Sequence, residues 1–144
     1  MVRWVYHLLG LLTPLVTILG IYLGGWWMGS TIYLALGLYP ILDYIFGTSS
    51  EVPSVDNRRP FDIIVHIHGF LVPVVILVLF WKILTSSPDV LFLLLGVISV
   101  GLSSGASGIV TAHELGHRKP KTFSWWLARL DLLCVNYLHF TIEH

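Results

Sequence analysis

Four apolar runs, each close to the length of a bilayer-crossing helix, constrain this chain more than any other feature. They are "VYHLLGLLTPLVTILGIYLGGWW" at 5–27, "STIYLALGLYPILDYIFG" at 30–47, "FDIIVHIHGFLVPVVILVLFWKIL" at 61–84 and "DVLFLLLGVISVGLSSGASGIVTA" at 89–112. A helix needs roughly 20 mostly apolar residues to cross the hydrocarbon core. In lipid the backbone must satisfy its own polar groups, which leaves the helix as the form such runs take. With 11% charged residues, 56% hydrophobic ones and a mean hydropathy of +0.82, the 144 residues cannot clothe a soluble domain. The sequence therefore reads as an all-α integral membrane protein: one membrane domain, 1-144, with about four transmembrane helices. Pro14 is expected to kink the first run, and Pro40 and Asp43 interrupt the second. The last segment, 124–144, carries Arg129 and Asp131 and reads as an amphipathic or partly embedded helix at the membrane surface.

Charge placement orients these runs. All of the eight Lys and Arg residues except Lys82 fall before the first run, between the second and third, or after the fourth. The excess of loop cations marks the cytoplasmic side, so both termini and the segment after the fourth run are expected there. Net charge is zero, and the basic face that nucleic acid requires is missing. A single cysteine, Cys134, excludes an intrachain disulfide and a four-thiolate metal site. The first run is too long for a signal-peptide core and lacks a small-residue cleavage site, so it reads as a retained helix.

The fourth run leads into "TAHELGHRKP", 111–120. His113 and His117 are four apart, which puts both rings on one helical face where they can converge on a metal. The bland reading is a polar end to a span. Two imidazoles flanking Glu114 in so charge-poor a chain favour the ligand reading. "HELGH" also satisfies H-E-x-x-H, in which two His bind zinc and the Glu activates water. Intramembrane zinc metalloproteases carry that motif within a span, whereas Arg118, Lys119, Pro120 and Lys121 end the span here. A second polar cluster, "NYLHFTIEH", holds His139, Glu143 and His144. Nitrogen-rich, thiolate-free sites suit iron, copper or zinc, and spacing does not choose among them.

Other polar residues have plainer readings. His66 and His68 are two apart, so a helix turns them to different faces, and each is expected to be a hydrogen-bonded residue of the bundle interior. His7 reads as interfacial. Asp43 and Asp131 each need a partner or water, and Asp131 is a candidate acceptor from a metal-bound imidazole. Gly101/Gly105 and Ser104/Gly108, each four apart, are expected to let helix backbones approach closely.

Together, "HELGHR" at 113–118, "NYLHFTIEH" at 136–144 and "YPILDYIFG" at 39–47 resemble the integral-membrane alkane 1-monooxygenase family, relatives of the membrane fatty acid desaturases. The family's first histidine box, H-E-L-x-H-[KR], is matched by His113, Glu114, Leu115, His117 and Arg118. Its second, E-H-x-x-G-H-H, would begin at Glu143 and His144, and the third is absent. The resemblance implies two non-haem iron ions held by His113, His117 and His144 with further ligands. Glu114 would lie near them, and His139, Glu143 and Asp131 would support the ligands through hydrogen bonds. It further implies an amino-terminal portion of a longer hydroxylase, inactive as this truncated chain. The intact enzyme would use O2 to hydroxylate the terminal methyl of a medium-chain alkane at the inner membrane of a bacterium. Electrons would come from rubredoxin and its NADH-dependent reductase, with Arg118, Lys119 and Lys121 as a basic docking rim. Xylene-type methyl hydroxylases share the H-E-L-x-H-R box. A membrane bundle that binds no metal is the non-enzymatic alternative.

Overall fold

A computed structural model describes residues 7–47 and 59–139. Those residues form helices and connecting turns, and no strand occurs among them. We number the helices α1 (Leu8–Leu23), α2 (Gly25–Phe46), α3 (Arg59–Ser86), α4 (Val90–Gly116) and α5 (Phe123–Cys134). Helices α2, α3 and α4 are long and apolar enough to cross a membrane, while α1 is shorter. Their outer faces present large apolar side chains such as Leu36 at 66% exposure and Leu77 at 63%. Such surfaces are stable against acyl chains and untenable against water. The chain is a multi-pass membrane protein built of helices.

The α1–α2 hairpin turns at Gly24 and Gly25, whose φ angles of +80° and +57° suit residues without a Cβ. Close approach needs a second glycine. A Cβ on Gly20 would lie 2.3 Å from the Trp27 carbonyl oxygen and 2.1 Å from Ser30 Oγ. The hairpin is further tied by Thr17 and Thr31, whose hydroxyls meet at 2.6 Å, and by Thr13 and Tyr39 at 2.8 Å. Opposite this turn, Lys82 Nζ on α3 donates to the Tyr22 carbonyl at 3.0 Å, and Trp81 stacks on Tyr22. Ile21, Met28, Val75, Leu79 and Val100 form the dry core between these helices.

A 3-10 turn, Leu8–Leu11, precedes the α-helical Leu12–Leu23, which holds Pro14 in its first turn. In α2 a π-helical stretch, Tyr33–Leu38, comes just before Pro40, and a second, Ser104–Gly108, interrupts α4. The small-residue pattern of α4 is only half used. Gly108 sits against Val72, with 3.2 Å available to a Cβ, whereas Gly101 and Gly105 face open space.

At the end away from the hairpin turn, His7 packs edge-on against Phe61, and the start of α3 meets the end of α4. Helix α5 lies across that end. It buries Leu127, Ala128, Asp131 and Leu132 against α3 and α4, with Leu115 fully covered between them. The described cations Arg59, Arg118, Lys119, Lys121 and Arg129 all belong to the elements that meet there. Lys82 stands at the opposite end, beside the hairpin turn.

Candidate metal centre

The last α-helical segment of α4, Ile109–Gly116, carries His113 and Glu114, and His117 caps it. One helical turn brings the two rings together. Nε2 of His113 and Nε2 of His117 lie 2.9 Å apart, with the ring centroids 4.4 Å apart and the planes at 82°. Two imidazole nitrogens bound side by side to one metal at about 2.1 Å each would stand about 3 Å apart. The pair therefore fits two adjacent ligand positions. His117 is exposed and His113 partly so.

Among the described residues, no group of three or more His, Cys, Asp or Glu side chains converges on one point. His144 and Glu143 lie outside the described residues. His139 is exposed and packs edge-on against Tyr137, with the centroids 4.4 Å apart.

Glu114 is drawn towards Arg118. Its side chain is 62% exposed and its Oε1 lies 3.8 Å from Nη2 of Arg118. Arg118 itself donates to Asp62 Oδ1 of α3 at 2.7 Å. That bond holds the guanidinium more firmly protonated than usual. Of the three expected docking cations, Arg118 is thus engaged within the bundle, while Lys119 and Lys121 are exposed. Sequence reasoning missed this pair, although an acid in the first turn of a span was its visible signal.

His66 and His68 point to different faces, as their spacing requires. Nδ1–H of His66 donates to the Asp62 carbonyl at 2.6 Å, and Nε2 meets the Ser124 hydroxyl of α5 at 2.8 Å. On the other face His68 is buried. The Thr111 hydroxyl donates to the Ser107 carbonyl at 2.9 Å, so it accepts from His68 Nδ1–H at 3.0 Å. Asp131 is fully buried beneath α5, and among the described residues neither carboxylate oxygen has a hydrogen-bond partner. No described histidine receives its support. Loss of water pushes its pKa up to about 8, so the acid is mostly neutral at pH 7. Arg129 stacks over Trp125, 3.1 Å from the ring centroid.

Beside the imidazole-bearing segment lies a cavity of about 760 Å³ between α1, α2, α3 and α4. Leu102, Ala106 and Val110 form its α4 wall, and His68 and Thr111 supply polar spots. Leu9 and Val110, both in the lining, are also among the exposed apolar residues, so the cavity reaches the lipid-facing surface.

A multi-pass helical bundle with paired imidazoles at one end is the class these features define. Comparison with known proteins narrows it, because the chain is homologous to the alkane 1-monooxygenases. It is 32% identical to alkane 1-monooxygenase 1 of Alcanivorax borkumensis over 148 aligned positions, covering 95% of this chain and 36% of that protein. It is 30% identical to alkane 1-monooxygenase of Ectopseudomonas oleovorans, with 95% and 36% covered. Against the Pseudomonas putida enzyme the identity is 28%, with 96% and 37% covered. The chain thus spans little more than a third of the length of these curated relatives. No family model matches the chain, and no solved structure matches it.

Proposed function

We propose that this chain is the amino-terminal part of a bacterial membrane monooxygenase that converts the terminal methyl of a medium-chain alkane to a primary alcohol. The 2.9 Å approach of the His113 and His117 nitrogens carries the reading, together with homology over nearly the whole chain. In the intact protein these residues hold non-haem iron, with His144 and ligands from later segments completing a two-iron site. Bound iron supplies the activation of O2. The roles of the chain's own residues follow from their positions.

Helix α4 presents the two imidazoles where its apolar span gives way to "RKPK", so a soluble electron donor can approach while the substrate stays in lipid. The cavity, within the roughly 300–1,000 Å³ usual for ligand pockets, offers an apolar chain a path from the bilayer past Leu9 and Val110. Rubredoxin, reduced by its NADH-dependent partner, would dock at the exposed Lys119 and Lys121 on the cytoplasmic face of the inner membrane. A zinc protease would need Glu114 directed at metal-bound water. Its pairing with Arg118 and its exposure favour the oxygenase.

The test is isotopic. Cells producing the full reading frame that contains this chain should convert a medium-chain alkane to the primary alcohol with oxygen derived from labelled O2, and His113→Ala should abolish that product. Label arriving from water, or product formation unaffected by His113→Ala, would refute the proposal.

A further inference from the structure

We infer that Asp62 is a positioning residue for the imidazole pair, acting through Arg118 across the junction of α3 and α4. This deepens the proposed function and rests on its assignment of His113 and His117 as metal ligands. His117 caps the helical segment and Arg118 follows it, where the chain leaves helical geometry: the His117 amide bonds to His113 O and the Arg118 amide to Leu115 O. A helix end frays unless something outside it holds the last turn. Two contacts do so here, and a third anchors the helix that carries Asp62. Leu115 is sealed against Leu127 and Ala128 of α5. Arg118 reaches Asp62 at 2.7 Å. His66, one turn along α3 from Asp62, bonds both the Asp62 carbonyl and Ser124, so the α3 end that carries Asp62 is anchored to α5.

The Leu115 contact seals the helix end against α5 on one side. The ion pair ties the turn to α3 on another side, because the guanidinium is adjacent in sequence to His117 and its partner stands on a different helix. Both side chains are partly exposed, at 28% for Arg118 and 43% for Asp62. Such a pair adds little to stability, and its consequence is geometric. Glu114, at 3.8 Å from the same guanidinium, holds the preceding turn to the same point.

The experiment titrates cobalt(II), followed by its visible absorption, into the purified chain in detergent, alongside Asp62→Asn, Asp62→Glu, Arg118→Gln and the double variant His113→Ala/His117→Ala. Asp62→Asn and Arg118→Gln should each weaken cobalt binding by about 10-fold to 100-fold, with helix content and melting temperature unchanged. Asp62→Glu, which keeps the charge, should restore binding to near the wild-type level. Wild-type affinity in both Asp62→Asn and Arg118→Gln would overturn the positioning role while leaving the ligand assignment intact. Should the double histidine variant bind cobalt as tightly as wild type, or wild type bind none, the ligand assignment falls and the positioning role falls with it. Arg118→Gln keeps the test decisive if Asp62→Asn fails to fold.

Discussion

The two ends of the bundle are built on opposite rules. At the hairpin end backbone meets backbone: Gly20 lies under Trp27 and Ser30, Met28 presses on Gly96, and Ile21, Met28 and Val75 are sealed from solvent. At the other end the helices stand apart around a cavity of about 760 Å³, with an imidazole pair and an ion pair at its rim and the carboxyl of Asp131 buried nearby. The closed end sets the helix geometry, and the open end uses it. Polar groups in a bundle interior cost stability wherever they lack partners. The hairpin end buries short hydroxyls such as Thr17 and Thr31, paired at 2.6 Å, whereas the ionisable side chains His68 and Asp131 are buried towards the other end.

The largest expected effect breaks the closed end. Gly20→Leu places atoms where the Trp27 carbonyl already stands, and no side-chain rotation relieves a clash with backbone. Overpacking of this kind costs about 1–3 kcal/mol or more, and thermal denaturation in detergent should show a much lower melting temperature. The same substitution at Gly105, which faces open space, should leave melting nearly unchanged. Comparable losses at both sites would erase the contrast between the ends.

Asp131 sharpens the contrast from the open end. Burial raises its pKa from 3.8 to about 8. Below the lower value both the folded and unfolded chains hold the proton, and no penalty arises. As pH rises towards the higher value the unfolded chain ionises while the folded chain resists, so stability falls across that window and levels off above it. Asp131→Asn removes this contribution. Melting curves at about pH 5 and about pH 9 should lie further apart for the wild type than for the variant, and an equal separation in the two proteins would refute a raised Asp131 pKa. The smallest effect lies at the rim. On the proposed function, Lys119→Gln with Lys121→Gln in the full-length protein should slow reduction by the proposed rubredoxin donor at low salt and flatten its salt dependence, leaving stability unaltered. Unchanged reduction kinetics would remove those lysines from docking.

Much of this was legible in the residues. Run length and composition are strong signals, so the all-helical membrane class and the identity of the apolar runs could be read directly. The i, i+4 spacing of His113 and His117 translated without change into a shared face. The first turn came earlier than the runs suggested, because Gly24 and Gly25 supply positive φ while the neighbouring Trp26 and Trp27 keep the hydropathy high. The Gly101/Gly105 pattern promised a contact that the bundle does not use, since spacing identifies a face but not its neighbour. Arg118 looked like a free rim cation because its partner is 56 residues away. The link from His66 to Ser124 was hidden for the same reason: separations of that size carry no periodic signature. His144 and Glu143 lie outside the described residues, so that part of the expected site stands as a proposal.

X-ray absorption at the metal edge, on the purified chain loaded with cobalt(II), tests most directly whether residues 113 and 117 bind one ion together. The account predicts imidazole scattering from at least two rings per metal in the wild type, falling by one ring in His117→Ala. The same imidazole count in both proteins would contradict it.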